Sequence, residues 1–333
     1  MIKTNLISIP VCEPMLAGNE LKYITDAVST GWISSAGSYV TAFEKAFAEY
    51  CGVKHGIAVC NGTVALHLAL RALGVQPGDE VIIPDFTMIA SALAVCYCGA
   101  KPVFVDADAA TWNMDVSAVE QYITPATKGI MAVHIFGNPC DMTALQRIAD
   151  RHGLWLMEDA AEAHGAINHG KKAGALSRIA AFSFFANKNV TTGEGGMVVT
   201  DDDELAAACR YFKNMCFPLD APRTYLHADI GYNYRMSNLH AAIGLAQTEK
   251  ADDYKALRQA ISGTFACHSW CPAPGGHNRQ RKRQLDERAG HHARLWAHAR
   301  RAHRPSAKPR YRHPAFLQRD APPARPEDLW VSL

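Results

Sequence analysis

The sequence predicts an α/β protein, a mainly parallel β-sheet flanked by helices on both faces. Three observations lead there. Short apolar runs suited to buried strands recur between residues 50 and 250. Stretches of helical period separate several of them. Polar and glycine-bearing segments follow some of the runs, where a parallel sheet gathers its functional groups, outside the carboxyl ends of the strands.

In chain order, Gly18–Ser29 reads as an N-terminal helix. Strands are expected at Gly56–Cys60, Glu80–Pro84, Pro102–Val105, Gly129–His134, Trp155–Glu158, Ile179–Phe184 and Met197–Thr200. Helices are expected at Val64–Leu73, Ile89–Cys98, Met142–Arg151 and Asp203–Phe212. Asn238–Arg258 reads as one long connecting helix with Asn238 as its N-cap. On this reading residues 1–237 form the large domain, 238–260 the connecting helix and 261–333 an atypical tail.

Composition narrows the function. The chain has 333 residues, 48% hydrophobic and 20% charged, a globular rather than a disordered balance. No run approaches the ~20 apolar residues of a membrane helix. The start, Met1-Ile2-Lys3-Thr4-Asn5, has no apolar export signal. Ten cysteines then fit reduced thiols in a cytoplasmic setting rather than a disulfide framework. Net charge is +2, but residues 261–333 hold 12 Arg and 2 Lys against 5 acidic residues, while the first 260 residues hold 20 basic and 27 acidic. A basic arm for nucleic acid explains that tail. A shifted reading frame from about residue 258–265 in a GC-rich gene explains it too, because out-of-frame GC-rich codons yield Arg, His, Pro and Ala.

Four segments carry chemistry. Cys60-Asn61-Gly62-Thr63 lies between a strand and a helix, where free N–H groups, a close backbone approach and a hydroxyl suit an anion. An ordinary capped turn uses the same residues. Glu158-Asp159-Ala160-Ala161-Glu162-Ala163-His164 follows an apolar strand, and a carboxylate there requires a cation or hydrogen-bond donors. Metal binding by Asp159, Glu162 and His164 competes, without a supporting spacing such as HExxH. Ser183-Phe184-Phe185-Ala186-Asn187-Lys188 precedes a glycine-rich turn, and a partly desolvated lysine suits Schiff-base chemistry with a carbonyl. A surface lysine in a hairpin is the plainer reading. Gly231-Tyr232-Asn233-Tyr234-Arg235-Met236 leads into the last helix and says little alone. Two near-motifs carry nothing: Gly165–Lys172 lacks the final Ser/Thr of a phosphate-binding loop, and Cys267-His268 with Cys271 lacks a second pair of zinc ligands.

Taken in order, Asn61-Gly62-Thr63, Glu158-Asp159 with Glu162, Ser183–Lys188 with Gly193–Met197, and Gly231–Met236 resemble the DegT/DnrJ/EryC1/StrS family of pyridoxal-phosphate-dependent sugar aminotransferases. The resemblance spans about residues 7–258. It implies the aspartate-aminotransferase-like fold, type I among pyridoxal-phosphate transferases. It further implies transfer of an amino group from L-glutamate to C4 of a nucleotide-linked 4-keto-6-deoxy sugar, with no metal, membrane or nucleic acid involved. Lys188 is implied as the Schiff-base lysine and proton carrier, and Asp159 as the partner of the pyridine nitrogen. Gly62, Thr63 and Ser183 are implied at the phosphate, and Glu162 near the ring oxygen. Asn233 is implied to reach the neighbouring subunit's phosphate, and therefore a homodimer with shared sites.

Two departures stand out. Relatives commonly stack an aromatic residue on the pyridine ring where this chain has Met88, leaving either the Met88 thioether or nearby Phe86 for that contact. Relatives also continue into a small C-terminal α/β domain, which residues 261–333 lack or carry in scrambled form.

Overall fold

A computed structural model describes residues 12–219, 222 and 225–267, with side chains to residue 262. Two helices open it, α1 (Glu20–Ser29) and α2 (Ser38–Cys51), followed by β1 (His55–Val59), α3 (Gly62–Ala72), β2 (Glu80–Pro84), α4 (Ile89–Tyr97) and β3 (Lys101–Val105). Next come β4 (Thr127–Val133), α5 (Met142–His152), β5 (Trp155–Asp159), a short hairpin of β6 (Ile167–Asn168) and β7 (Lys171–Lys172), β8 (Ile179–Ser183), β9 (Gly196–Thr200) and α6 (Asp203–Lys213). The described part ends with α7 (Asn238–Thr248) and α8 (Ala251–Cys267). The chain divides into a unit of Met1–Asp108 and Trp112–Arg258, which holds every strand above, and a unit of Ala109–Thr111 and Gln259–Leu333.

Seven strands pair in the order β1-β9-β8-β5-β4-β2-β3. The pairs among β8, β5, β4, β2 and β3 are parallel, whereas β9 runs antiparallel to both β1 and β8. Because successive side chains of a strand point to opposite faces, the buried strands serve two cores. Val81, Ile83, Met131, Met157 and Val198 pack with α3, α4 and α6 on one face. Ile82, Ile130 and Leu156 pack with α5 on the other, where Phe182 and Met197 meet Phe43 and Phe47 of α2. Strands buried on both faces read as continuous apolar runs, which is why the predicted strands agree with these to within two residues.

The single long helix expected at Asn238–Arg258 is two helices, broken at Glu249-Lys250, and the second continues to Cys267. Two features account for the break. The Thr248 hydroxyl bonds back to the Gly244 carbonyl at 2.7 Å, a contact that bends helices. The Glu249 carboxylate is drawn to α1, accepting from Asn19 at 2.7 Å and Tyr23 at 2.6 Å. The N-cap of α7 is Ser237, whose hydroxyl accepts from the His240 N–H, and not Asn238. Asn238 instead serves α2, a helix not expected from the sequence. Its Oδ1 accepts from the Tyr39 N–H at 2.9 Å and its Nδ2 donates to the Trp32 carbonyl at 2.6 Å. Gly37, which precedes α2, lies so close to this amide that a Cβ there would strike it. The segment Gly165–Lys172 is the β6–β7 hairpin, turning through His169 and Gly170 with positive φ and opening no helix.

Of the tail expected from residue 261, residues 261–267 complete α8. The remainder, including His268 and Cys271, lies outside the described residues.

Replacing Asn238 with Ala should lower stability by about 1–3 kcal/mol, since a helix cap and a half-buried loop contact are both lost. Urea denaturation measures this, and an unchanged midpoint would show that the α2 cap contributes nothing.

Candidate active site

Apart from Asn233, which lies between α6 and α7, the expected site residues come from the carboxyl ends of the strands and the loops that follow them. Asp159 ends β5, Ser183 ends β8, and the Asn61–Thr63 turn joins β1 to α3. Asn61 is extended and caps α3 through a 3.0 Å bond from the Val64 N–H, so the first N–H groups of the helix stay open to a ligand. A Cβ on Gly62 would sit 2.6 Å from the Ser183 Cβ, so only glycine lets these loops approach. Thr63 follows as the second residue of α3.

Asp159 is 4% exposed. Its Oδ2 accepts from the Ser91 hydroxyl of α4 at 2.7 Å and its Oδ1 from the Ala161 N–H at 3.2 Å. Burial raises its pKa, and these two bonds oppose the rise. Among the described residues no cationic group hydrogen-bonds to it. Glu158 is handled differently. Its Oε1 accepts from Leu176 N, Ser177 N and the Ser177 hydroxyl, and its Oε2 from Gly174 N at 2.8 Å. His134 Nε2 completes the set at 3.0 Å. Burial pulls the His134 pKa down, whereas the Glu158 carboxylate at Nε2 pushes it up. Because the Cys140 N–H points at Nδ1, whose lone pair a doubly protonated ring lacks, the ring proton sits on Nε2 and faces Glu158.

Lys188 Nζ lies 3.2 Å from Glu162 Oε1, and the other Glu162 oxygen accepts from the Phe136 N–H at 2.8 Å. The lysine's turn is held by its own N–H to the Phe185 carbonyl at 2.9 Å and by His164 Nδ1, which accepts from Val190 N–H at 3.2 Å. His164 stacks on Phe182 and Phe184, and burial lowers its pKa to about 3. Asp159, Glu162 and His164 therefore serve three different partners and do not converge as a metal set. Met88, the residue before α4, is 59% exposed. Phe86 instead joins an aromatic cluster with Trp112 and Phe136, at ring separations of 5.9 and 6.2 Å.

Asn233 is exposed in the single chain, bridged to Asn214, and makes no hydrogen bond to the cluster around Asp159 and Lys188. Its flanking tyrosines explain the rest of that segment. Tyr232 and Tyr234 stack at 4.8 Å, and His67 of α3 packs on both, its Nδ1 3.0 Å from the Tyr234 hydroxyl. Sequence reasoning missed three of these groups: Ser91, a hydroxyl alone in an apolar helix; His134, one residue past a strand; and His67, buried on α3.

Residues 14–267 match the DegT/DnrJ/EryC1/StrS aminotransferase family. The GDP-perosamine synthase of Caulobacter vibrioides is 53% identical over 262 residues, 79% of this chain and 70% of the relative. The GDP-perosamine synthase of Escherichia coli O157:H7 is 51% identical over 257 residues, 77% of this chain and 70% of the relative. Among solved structures, the PLP form of the putative sugar aminotransferase Spr1654 from Streptococcus pneumoniae matches with a TM-score of 0.74 and 28% identity, covering 78% of this chain and 71% of that one. The fold and these comparisons define a transaminase of the pyridoxal-phosphate-dependent class. The chain belongs to the DegT/DnrJ/EryC1/StrS aminotransferase family.

The residues present fit that cofactor. Asp159 is a buried carboxylate with two neutral donors, a donor set that suits a cationic partner such as a protonated pyridine nitrogen. Gly62 brings the open N–H groups at the start of α3 beside the Ser183 hydroxyl, a donor set that suits a phosphate.

His67 gives a pH test. Burial lowers its pKa from 6.5 to about 4, so the unfolded chain takes up the proton first and stability falls as pH drops through that window. In a His67→Phe variant the loss between pH 7 and pH 5 should be smaller by about 2 kcal/mol, at about 1.4 kcal/mol per pH unit. Equal losses in both proteins, measured by urea unfolding, would show that His67 does not titrate in this way.

Proposed function

We propose that this chain moves an amino group from L-glutamate to C4 of a GDP-linked 4-keto-6-deoxy sugar, the chemistry that makes GDP-perosamine. The observation that carries the proposal is the 53% identity to a GDP-perosamine synthase over 262 residues. When bound, pyridoxal phosphate supplies a carbonyl for amine exchange and a ring that accepts electrons from the carbon losing its proton.

The roles follow from chemistry the chain already displays. Lys188 is the amine that binds the cofactor carbonyl and then carries a proton on Nζ, with Glu162 3.2 Å away to orient it. Asp159 holds a proton at the ring nitrogen, since a carboxylate in a low-dielectric setting favours a cation opposite it. Gly62, Thr63 and Ser183 bind the phosphate through backbone N–H and hydroxyl groups. Met88 presents its thioether towards the ring face, and Glu162 lies near the ring oxygen. Asn233, exposed on the single chain, completes the phosphate site of a second copy, which makes the working unit a homodimer. We place the cofactor domain in residues 1–237 and the connection in 238–260. The enzyme is cytoplasmic and supplies a polysaccharide precursor such as that of O-antigen.

Mass spectrometry of products from GDP- and UDP-linked 4-keto-6-deoxy sugars with L-glutamate tests the acceptor. Conversion of the keto group to an amine in the GDP-linked sugar is expected, and conversion only of the UDP-linked sugar would overturn the nucleotide assignment. Lys188→Ala should lower the rate by at least about 10²-fold, because the amine and the proton carrier go together. A variant keeping more than about a tenth of the rate removes Lys188 from the mechanism.

A further inference from the structure

We propose that Ser91 is a positioning residue for this reaction: its hydroxyl fixes the plane of the Asp159 carboxylate and keeps that oxygen pair turned towards a cationic ring nitrogen. The proposal rests on the role given to Asp159 above.

Ser91 is fully buried in the first turn of α4, among Ala90, Ala92 and Ala94. A buried hydroxyl in an apolar helix is unfavourable unless it is bonded, and both of its bonds are short. It lies 2.7 Å from Asp159 Oδ2 and 2.8 Å from the Thr87 hydroxyl. The direction of this chain is fixed by inventory. An ionised carboxylate can only accept, so the single Ser91 proton goes to Asp159, and Ser91 must then accept from Thr87. The three groups form a one-way run, Thr87 to Ser91 to Asp159, in which each bond polarises the next.

The Ser91 hydroxyl is the one side-chain donor that Asp159 has among the described residues; its other bond comes from the Ala161 backbone. The charged groups facing Asp159 are Lys188 from the loop after β8 and Glu162 from the loop after β5. They act with opposite sign, which leaves Ser91 as the near donor that favours the charged carboxylate. Without it, only the longer Ala161 bond holds the Asp159 carboxylate, which is then less firmly oriented and binds a proton more tightly. A proton shared with a ring nitrogen then moves towards Asp159, and the ring loses the positive charge that makes it accept electrons.

Ser91→Ala keeps the helix, since Ala is the best helix former and removes only the hydroxyl. With pyridoxal phosphate bound, the single-turnover rate with L-glutamate should fall about tenfold, the effect of one hydrogen bond to a charged group. The pH at which the cofactor's visible absorbance band changes should shift as well. Ser91→Thr restores the hydroxyl and should keep both within about twofold of the parent. A Ser91→Ala protein with parental rate and parental absorbance profile overturns the proposal while leaving Asp159 in place. Equal losses in the Ala and Thr variants, with an unmoved absorbance profile, mark a packing effect and overturn it too. A parent chain that shows no such band on adding pyridoxal phosphate overturns the reading of the site together with the proposal.

Discussion

Two neighbouring carboxylates at the end of β5 are buried, and the strand's geometry forbids them a common solution. Side chains alternate, so Glu158 points to the face covered by α2 and α5 while Asp159 points to the face of α3 and α4. Glu158 is answered from within, by three backbone N–H groups, the Ser177 hydroxyl and the His134 ring. It thereby pins the Gly174–Ser177 loop to the sheet. Among the described residues Asp159 is answered by two neutral donors only. A buried carboxylate left in that condition raises the free energy by several kcal/mol unless a cation completes it. One acid is thus tied into the fold's own cohesion, while the next is left without a cationic partner among the described residues.

The reversed strand β9 sets the rest of the site. Lying between β1 and β8, it brings the turn after β1 against the end of β8, which no direct neighbour pairing of those strands provides. Gly196, at the start of β9, packs against the backbone of Asn61 and Gly62. The lysine loop and the Asn61–Thr63 turn come from opposite sides of this strand, one after β8 and the other after β1.

What the sequence made legible depended on burial. Strands buried on both faces announce themselves as apolar runs, and the motif loops sit directly after them. Asn238 shows the limit: an Asn before an apolar helix suggests a local cap, but its amide reaches about 200 residues back in the chain to cap α2. The break at Glu249 also depends on a tertiary partner, α1. Asp159, Glu162 and His164 stand together in sequence but bond to different partners, because strand alternation and the following turn aim each at a different neighbour. Ser91 was illegible for the opposite reason. One hydroxyl in an alanine-rich helix carries no pattern, and its importance appears only with Asp159 beside it.

The cradle at the start of α3 has a consequence for its response to acid. Gly62, Thr63 and Ser183 offer N–H and hydroxyl groups, none of which ionises in the ordinary range. The adjoining Cys60 thiol is pushed up by burial and stays protonated. An anion held there meets a surface whose own charge does not change as the medium turns acidic. The groups of that turn therefore add no pH dependence of their own to the retention of such an anion.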